Sequence, residues 1–484
     1  MPPFDGGGDT AFLLRVSRLG TGKREQLRRA LAPALTVMAL AAACHGAAEP
    51  PRHLLLITVD TLRADRLEAY GGEPGVTPHL DALARQSEVF LRAYAPSSFT
   101  LPSVSAIMTG RYPQELGIWK NESGVPESAA TLATELRGRG WRTAAVVSNF
   151  VLRRRSGLAA GFDLFDDALP QREAVRKWPE RVAADTTTAA LEVLEGCAAG
   201  ADARCFLWVH YQDPHGPYAP PGDRRRRFLE AERDAPDGRR LLPVQEEGVP
   251  LGGIPPYQFL DGRRDVAFYR AGYDAEVQYM DEEVGRLLDA FAERGLVNQT
   301  AVVFAADHGE GLGEGDYWFA HGEFLTDSLV RVPLLIRDPR RSPRRRDDLA
   351  SLVDLYPTLL ALVAVAPPGA DRAGRDLLAK GAEREASTPY LATLGASSVE
   401  RYGVVNGDYK LVIAERDGAR EERLTHLGAE AVDVASDAPE IAAALRAKLL
   451  AFREKMTNGL PEIRQELSPE DREKLRALGY ANDP

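Results

Sequence analysis

Five short apolar runs, each ending in polar residues able to do chemistry, constrain this chain more than any other feature. They are HLLLITVD (53–60), TAAVVSN (143–149), CFLWVHYQDPH (205–215), AVVFAADHGE (301–310) and VPLLIRD (332–338). A strand with one wet face alternates apolar and polar residues. These runs do not, so both faces must be covered, as in a parallel sheet flanked by helices. The intervening sequence supplies such helices. TPHLDALARQS (77–87) and AATLATELRGRG (129–140) are amphipathic, and Tyr273, Val277, Met280, Val284, Leu287 and Leu288 form one stripe at helical spacing. Alternation of the two patterns predicts an α/β fold with a mainly parallel sheet sandwiched between helices. In such sheets ligands gather at the carboxyl ends of strands, where the polar residues of each run fall.

With 484 residues and 44% hydrophobic content, the chain can build more than one core. Its texture changes after residue 365. YLATLGA (390–396), RYGVVNGDYKLVIAE (401–415) and EERLTHLG (421–428) read as antiparallel strands with a turn at Asn406-Gly407, and 438–456 reads as a helix. The expected division is an export segment over 1–50, a catalytic α/β domain over 52–365, and a smaller α+β domain over 366–484. Between Pro214 and Phe268 lies a Pro-, Gly- and Arg-rich insertion without strong periodicity, of the kind that caps a site or stays disordered. A formal net charge of −11 argues against general nucleic-acid binding. The arginine runs at 223–227 and 340–346 are expected as solvated loops, with a rim for anionic substrates or lipid headgroups as the sharper alternative.

The amino-terminal region reads as an address. Lys23, Arg24, Arg28 and Arg29 precede the apolar segment 30–44, which has the length of a signal-peptide core and is short for a membrane span. Cys44 follows three alanines, as in a bacterial lipoprotein signal, although Leu40 stands four places before it where three is usual. The expectation is an exported protein of the periplasm or cell envelope, with lipid anchoring through Cys44 left open. Cys197 and Cys205 flank a small polar loop and could close it as a disulfide or remain two thiols.

Asp60 ends the first run, and Asp307 with His308 ends the fourth. Two carboxylates and an imidazole converging at strand ends suit one divalent cation, with a nucleophile's oxygen as a further ligand. Thr100 is placed for that role. It opens TLPSVSAIMTGRYP (100–113), where Pro102 suits a first helical turn and Gly110 a helix end, and a helix amino terminus favours a phosphoryl group. Taken singly, each of these residues is explained as readily by a cap or a turn; their order along the chain points to a site.

With these motifs in view, the chain resembles the sulfatase-like branch of the alkaline phosphatase superfamily from residue 52 onward. ITVDTLRADRLEAYG is similar to the first metal-binding segment, TLPSVSAIMTGRYP to the nucleophile segment, DPHGPY to a histidine-bearing substrate loop and ADHGEGLGE to the second metal-binding segment. The tail LSPEDREKLRALGY is similar to a carboxyl-terminal element of one bacterial group. The resemblance implies Asp60, Asp307 and His308 as metal ligands and Thr100 as nucleophile and further ligand. It also implies His215 as leaving-group acid or ester-oxygen contact, His321 in place of a basic residue on the transferred group, and Asn149 and Thr61 lining the substrate pocket.

The chain departs from that family's Cys-x-Pro-x-Arg pattern, with Thr100 for the cysteine that becomes formylglycine and Val104 for the arginine. A hydrated aldehyde expels sulfate by collapsing to the carbonyl; a sulfated threonine has no such exit, whereas a phosphorylated one is resolved by in-line attack. Thr61 for an aspartate and His308 for an asparagine favour manganese or zinc, with calcium still allowed. The leading expectation is an exported, metal-dependent hydrolase or transferase cleaving phosphate mono- or diesters of a small molecule, glycan or lipid through Thr100, with no obligate protein partner. The alternatives are a sulfuric ester hydrolase working without formylglycine, and a catalytically silent binder of a sulfated or phosphorylated glycan or lipid.

Overall fold

The computed structural model describes residues 49–477 apart from 170–179, 201, 247–248, 368, 370–371, 382–387, 396, 458 and 466. The signal-like segment and Cys44 lie outside the described residues. Among the described residues no helix is long and apolar enough to cross a membrane.

The strands in chain order are β1 (His53–Val59), β2 (Glu88–Tyr94), β3 (Arg142–Val147), β4 (Leu164–Asp166), β5 (Cys205–Tyr211), β6 (Thr300–Ala306), β7 (Gly311–Leu312), β8 (Trp318–Ala320), β9 (Arg331–Arg337), β10 (Arg344–Arg346), β11 (Ala350–Ser351), β12 (Tyr390–Leu394), β13 (Glu400–Asn406), β14 (Tyr409–Arg416) and β15 (Ala419–His426). The main sheet runs β10-β2-β9-β6-β1-β5-β3-β4, with β11 also on β2. β1 lies between β5 and β6, parallel to both, and is buried along its whole length, as its unbroken apolar run requires. The helix Val266–Glu293 covers this sheet with the expected stripe: Tyr273, Val277, Met280, Val284 and Leu287 are buried, and Leu288 partly so.

One strand corrects the sequence reading. The run at 332–338 forms β9, which is antiparallel to both of its neighbours, β6 and β2. Burial on both faces gives the same continuous apolar run whatever the strand direction. The link from β6 to β9 contains only the β7–β8 hairpin and the short helix Asp327–Val330, with no long crossover helix to return the chain parallel.

The arginine runs are exposed over most of their length, as expected of solvated segments, yet single residues of each are built into the fold. The first opens a helix, Arg225–Asp234, within the insertion; Arg224 pairs with Glu282 at 2.6 Å and Arg225 lies over Phe268 at 3.9 Å. The second includes edge strand β10, and Arg341, Arg344 and Arg346 converge on the buried Glu88. Arg224, Arg225, Arg341, Arg344 and Arg346 thus brace the fold from within otherwise exposed runs.

The carboxyl-terminal strands form a separate antiparallel sheet in the order β12-β13-β14-β15, with the turn at Asn406-Gly407 where the sequence signals it. The helix Pro439–Thr457 packs on this sheet and sends Phe452 against Tyr112 and Tyr390, at ring separations of 4.7 and 3.9 Å. Cys197, at the end of the helix Ala183–Cys197, forms a disulfide with Cys205 at the start of β5.

Candidate active site

Pairing register places the acids. Val59 at the end of β1 lies opposite Ala306 at the end of β6, so the next residues, Asp60 and Asp307, leave the sheet side by side. The backbone stays tied one residue further: Asp60 N–H donates to Tyr211 O at 3.0 Å and Asp307 N–H to Val59 O at 3.1 Å. Asp307 Oδ1 then accepts the N–H groups of His308 at 2.7 Å and Thr61 at 3.3 Å. Thr61 has φ of 56°, a left-handed conformation costly for a β-branched residue, and Tyr273 donates its hydroxyl to Thr61 O at 2.7 Å. The turn after β1 is thus bent so that its amide faces the second acid.

His308 completes the cluster. Its Nδ1 lies 2.9 Å from Gly309 O; a carbonyl only accepts, so Nδ1 carries the hydrogen and Nε2 presents its lone pair. Burial, and secondarily His321, hold this imidazole well below its ordinary pKa, which keeps it neutral. Nε2 is 3.5 Å from Asp60 Oδ1, 3.8 Å from Asp307 Oδ2 and 3.2 Å from Thr100 Oγ1. Thr100 is the first residue of the helix Thr100–Thr109 and is fully buried. The hydroxyl in question therefore stands beside the three proposed ligands.

The donor set suits a cation. One ligand atom each from Asp60, Asp307 and His308 lies within 4.8 Å of the others, and all three residues are buried. Asp60 Oδ1 and Asp307 Oδ2 are buried without a hydrogen-bond partner. Burial, and for Asp60 also the neighbouring Asp307, push both carboxyls well above the usual carboxylate range. Two acids bear such a position as anions only when a positive charge is shared between them. Neutral Nε2 and two acidic oxygens are the nitrogen and oxygen donors that a divalent metal takes.

The other predicted residues gather around this cluster. His321 has its ring centre 4.6 Å from that of His308, and the His215 ring is 5.1 Å beyond His321. His215 Nδ1 is tied to Gly216 O at 2.7 Å, which directs Nε2 elsewhere. Asn149 donates its amide to Asp60 Oδ2 and accepts from Val151 N–H at 2.8 Å, so its side chain grips a proposed ligand. Thr61 Oγ1 is buried without a hydrogen-bond partner.

The Sulfatase family profile matches residues 52–365. This chain belongs to the sulfatase family. Among its relatives are a choline-sulfatase from Rhizobium meliloti (strain 1021), 25% identical over 450 residues and covering 83% of this chain and 85% of the relative, and the iduronate 2-sulfatase of Homo sapiens, 27% identical with coverage of 65% and 70%. Similar solved structures include the phosphonate monoester hydrolase of Agrobacterium radiobacter, with a TM-score of 0.66, 21% identity and coverage of 84% of this chain and 96% of that one. Another, solved with its substrate D-glucosamine-2-N,6-O-disulfate, has a TM-score of 0.67, 19% identity and coverage of 85% and 99%.

This sulfatase-family hydrolase differs from the Cys-x-Pro-x-Arg pattern in a way that the structure makes concrete. Val104 is fully buried in the main core, so that position is packed with hydrocarbon. Several residues around the site carried no clear sequence signal. Glu310 sits inside the quoted motif, yet its contacts are not visible there: Oε1 is 3.2 Å from His321 Nδ1, and Oε2 accepts the Tyr218 hydroxyl at 3.0 Å. Burial pushes Glu310 up to about 8 and His321 down to about 3, so near neutrality both are uncharged. A protonated Glu310 then donates to Nδ1 and leaves the hydrogen on Nε2, a donor suited to an ester oxygen. Asn121 Oδ1 accepts the N–H of Leu101, directly after Thr100, at 2.9 Å. Tyr257, from the insertion, lies 6.2 Å from His215 ring to ring and donates to Phe319 O at 3.2 Å.

Proposed function

We infer that this sulfatase-family protein is a metal-dependent hydrolase or transferase that cleaves phosphate mono- or diesters through an unmodified Thr100. The observation that carries this reading is the 3.2 Å approach of Thr100 Oγ1 to His308 Nε2, next to two buried, unpartnered carboxylate oxygens. Asp60, Asp307, His308 and Thr100 would hold the metal. When bound, a divalent cation lowers the pKa of a hydroxyl and neutralises charge developing on the ester.

The chain's own residues account for the rest. Thr100 loses its hydroxyl proton to water, its Oγ1 forms a bond to phosphorus as the bond to the leaving oxygen breaks, and His215, as the imidazolium with Nδ1–H held on Gly216 O, delivers its Nε2 proton to that oxygen. His321, oriented by Glu310, donates to a non-bridging oxygen, and the amino terminus of the helix Thr100–Thr109 favours the same negative charge. Water or an alcohol then attacks phosphorus while the now neutral His215 takes its proton, the bond to Thr100 Oγ1 breaks, and the threonine recovers a proton from water. With Thr61 in place of an acid, the donor set favours manganese or zinc over calcium. The signal-like residues 1–50 support export to the periplasm or envelope, with Cys44 as a lipid anchor and a glycan or lipid ester as substrate.

A second reading, sulfate-ester hydrolysis at the same threonine, has the choline- and iduronate-sulfatase relatives in its favour. Chromogenic phosphate mono- and diesters, a phosphonate monoester and a sulfate ester, each assayed in manganese, zinc and calcium, separate the two readings. Phosphoryl turnover that falls by about 10³-fold or more in Thr100→Ala is expected. Turnover of sulfate alone would establish the second reading, and full activity in Thr100→Ala would remove the nucleophile.

A further inference from the structure

The segment that leads into the tail resembling a bacterial group-specific element has a defined place in the fold. Leu460 N–H donates to Glu115 O at 3.1 Å, Gly124 N–H to Ile463 O at 2.7 Å, and Gln465 N–H to Glu122 O at 2.9 Å. Gln465 Nε2 donates to Ser123 O at 2.6 Å, and Ser123 Oγ to Glu462 Oε1 at 3.0 Å. Residues 460–465 thus run as an extended strap along the 115–124 loop. Gly117 has φ of 70°, and a Cβ there would stand 2.6 Å from the carbonyl oxygens of Leu460 and Pro461, so only glycine lets the strap lie this close. Beyond it, Leu475 is buried in the main core and Asp471 pairs with Arg155 at 2.7 Å. The strap is therefore anchored past the loop as well as on it.

The 115–124 loop reaches the site through one side chain. Asn121 is buried and, through Oδ1, takes the N–H of Leu101, the residue that follows Thr100. We propose that the strap Leu460–Gln465 is a positioning element for the nucleophile: it fixes the 121–124 loop, the loop fixes Asn121, and Asn121 fixes the first turn that carries Thr100. Attack geometry is steep in distance, and a displacement of about 1 Å costs up to about 100-fold in rate. This inference rests on the reading of Thr100 as the nucleophile.

A double-mutant cycle on the full-length protein tests it, with the ester turned over best in the panel above. Gln465 is only partly buried, so Gln465→Ala should fold with a thermal midpoint close to that of the parent. Its kcat is expected to fall about tenfold with KM changed by less than about twofold, the signature of a misplaced nucleophile. In an Asn121→Ala background, the same Gln465→Ala change should cost less than about twofold, because its path to Thr100 is already cut. Equal losses in both backgrounds, or a Gln465→Ala enzyme with unchanged kcat, would overturn the strap while Thr100→Ala inactivity left the nucleophile standing. An active Thr100→Ala enzyme would instead overturn the nucleophile reading, and the strap's role with it.

Discussion

Two groups of buried carboxylates in this molecule treat charge in opposite ways. Glu88, at the start of β2, is met by Arg341 at 2.6 Å, Arg344 at 2.7 Å and Arg346 at 3.0 Å, and these arginines hold its carboxyl below the usual range against the effect of burial. Asp60 and Asp307 are as deeply buried, face each other, keep one oxygen each without a partner, and are pushed upward. The structural acid finds its counter-ions within the chain. Among the described residues the site acids find none, and that deficit sets the proposed metal centre apart from the brace at Glu88.

Breaking the brace should have the largest effect on stability. Glu88→Gln removes the charge that three guanidinium groups share, one of them, Arg346, almost fully buried. Leaving that cation partly uncompensated is expected to cost about 3 kcal/mol of unfolding free energy. Urea unfolding of wild type and variant measures it; a loss below about 1 kcal/mol would show that Asp348, which also pairs with Arg346 at 2.7 Å, suffices alone.

The site acids should respond in the opposite sense. Asp60→Asn replaces a buried acid that, without a cation, must take up a proton or face Asp307 as an uncompensated anion, so the metal-free protein should be no less stable than the parent. Added manganese or zinc should stabilise the parent by about 2.7 kcal/mol at a free concentration 100 times its Kd, and should leave Asp60→Asn nearly unmoved. Thermal unfolding with and without metal reads both. Equal stabilisation of the two proteins would mean that the cation binds elsewhere.

The difference between the two groups also explains what the sequence could disclose. Asp60 and the Asp307-His308 pair were legible because each follows an apolar run; the pairing of β1 with β6, which the order of the letters does not give, brings them together. The helix starting at Thr100 was legible from its own residues. Glu88 was not: its arginines lie about 250 residues away, and β2, interrupted by Arg92, lacks an apolar run long enough to read as a strand. The direction of β9 was hidden because burial, which sets its composition, is blind to polarity of the chain. Asn121 was missed because its partner is a backbone N–H, which leaves no pattern in the letters. Neither cysteine of the Cys197–Cys205 pair carries geometry in sequence, so pairing and two thiols stayed equal until the helix end met β5.

A third acid stands between these extremes. Asp281, on the helix Val266–Glu293, is buried with no Lys or Arg ion pair among the described residues, with His79 as the neighbour whose charge favours its ionised form, and it accepts two backbone N–H groups, from Leu80 at 2.8 Å and His79 at 3.1 Å, in the first turn of the helix Pro78–Ala84. Burial outweighs these bonds and pushes it up to about 6. Because the folded-state value lies above the unfolded one of about 3.9, folding takes up a proton between them. This group's contribution to stability is therefore fully present below about pH 4 and is lost as pH rises to about 6, at no more than about 1.4 kcal/mol per pH unit. Glu88, held low, changes in the other direction, losing its contribution as pH falls below the unfolded value of about 4.3. Asp281→Asn keeps one acceptor for the helix start and cannot ionise, so the difference in stability between parent and variant should drift by up to that slope from pH 4 to 6 and level off above it. A difference that stays flat across this window would show that the backbone N–H groups of residues 79 and 80, with the His79 side chain, stabilise the carboxylate as fully as water does, and that they can replace a Lys or Arg counter-ion.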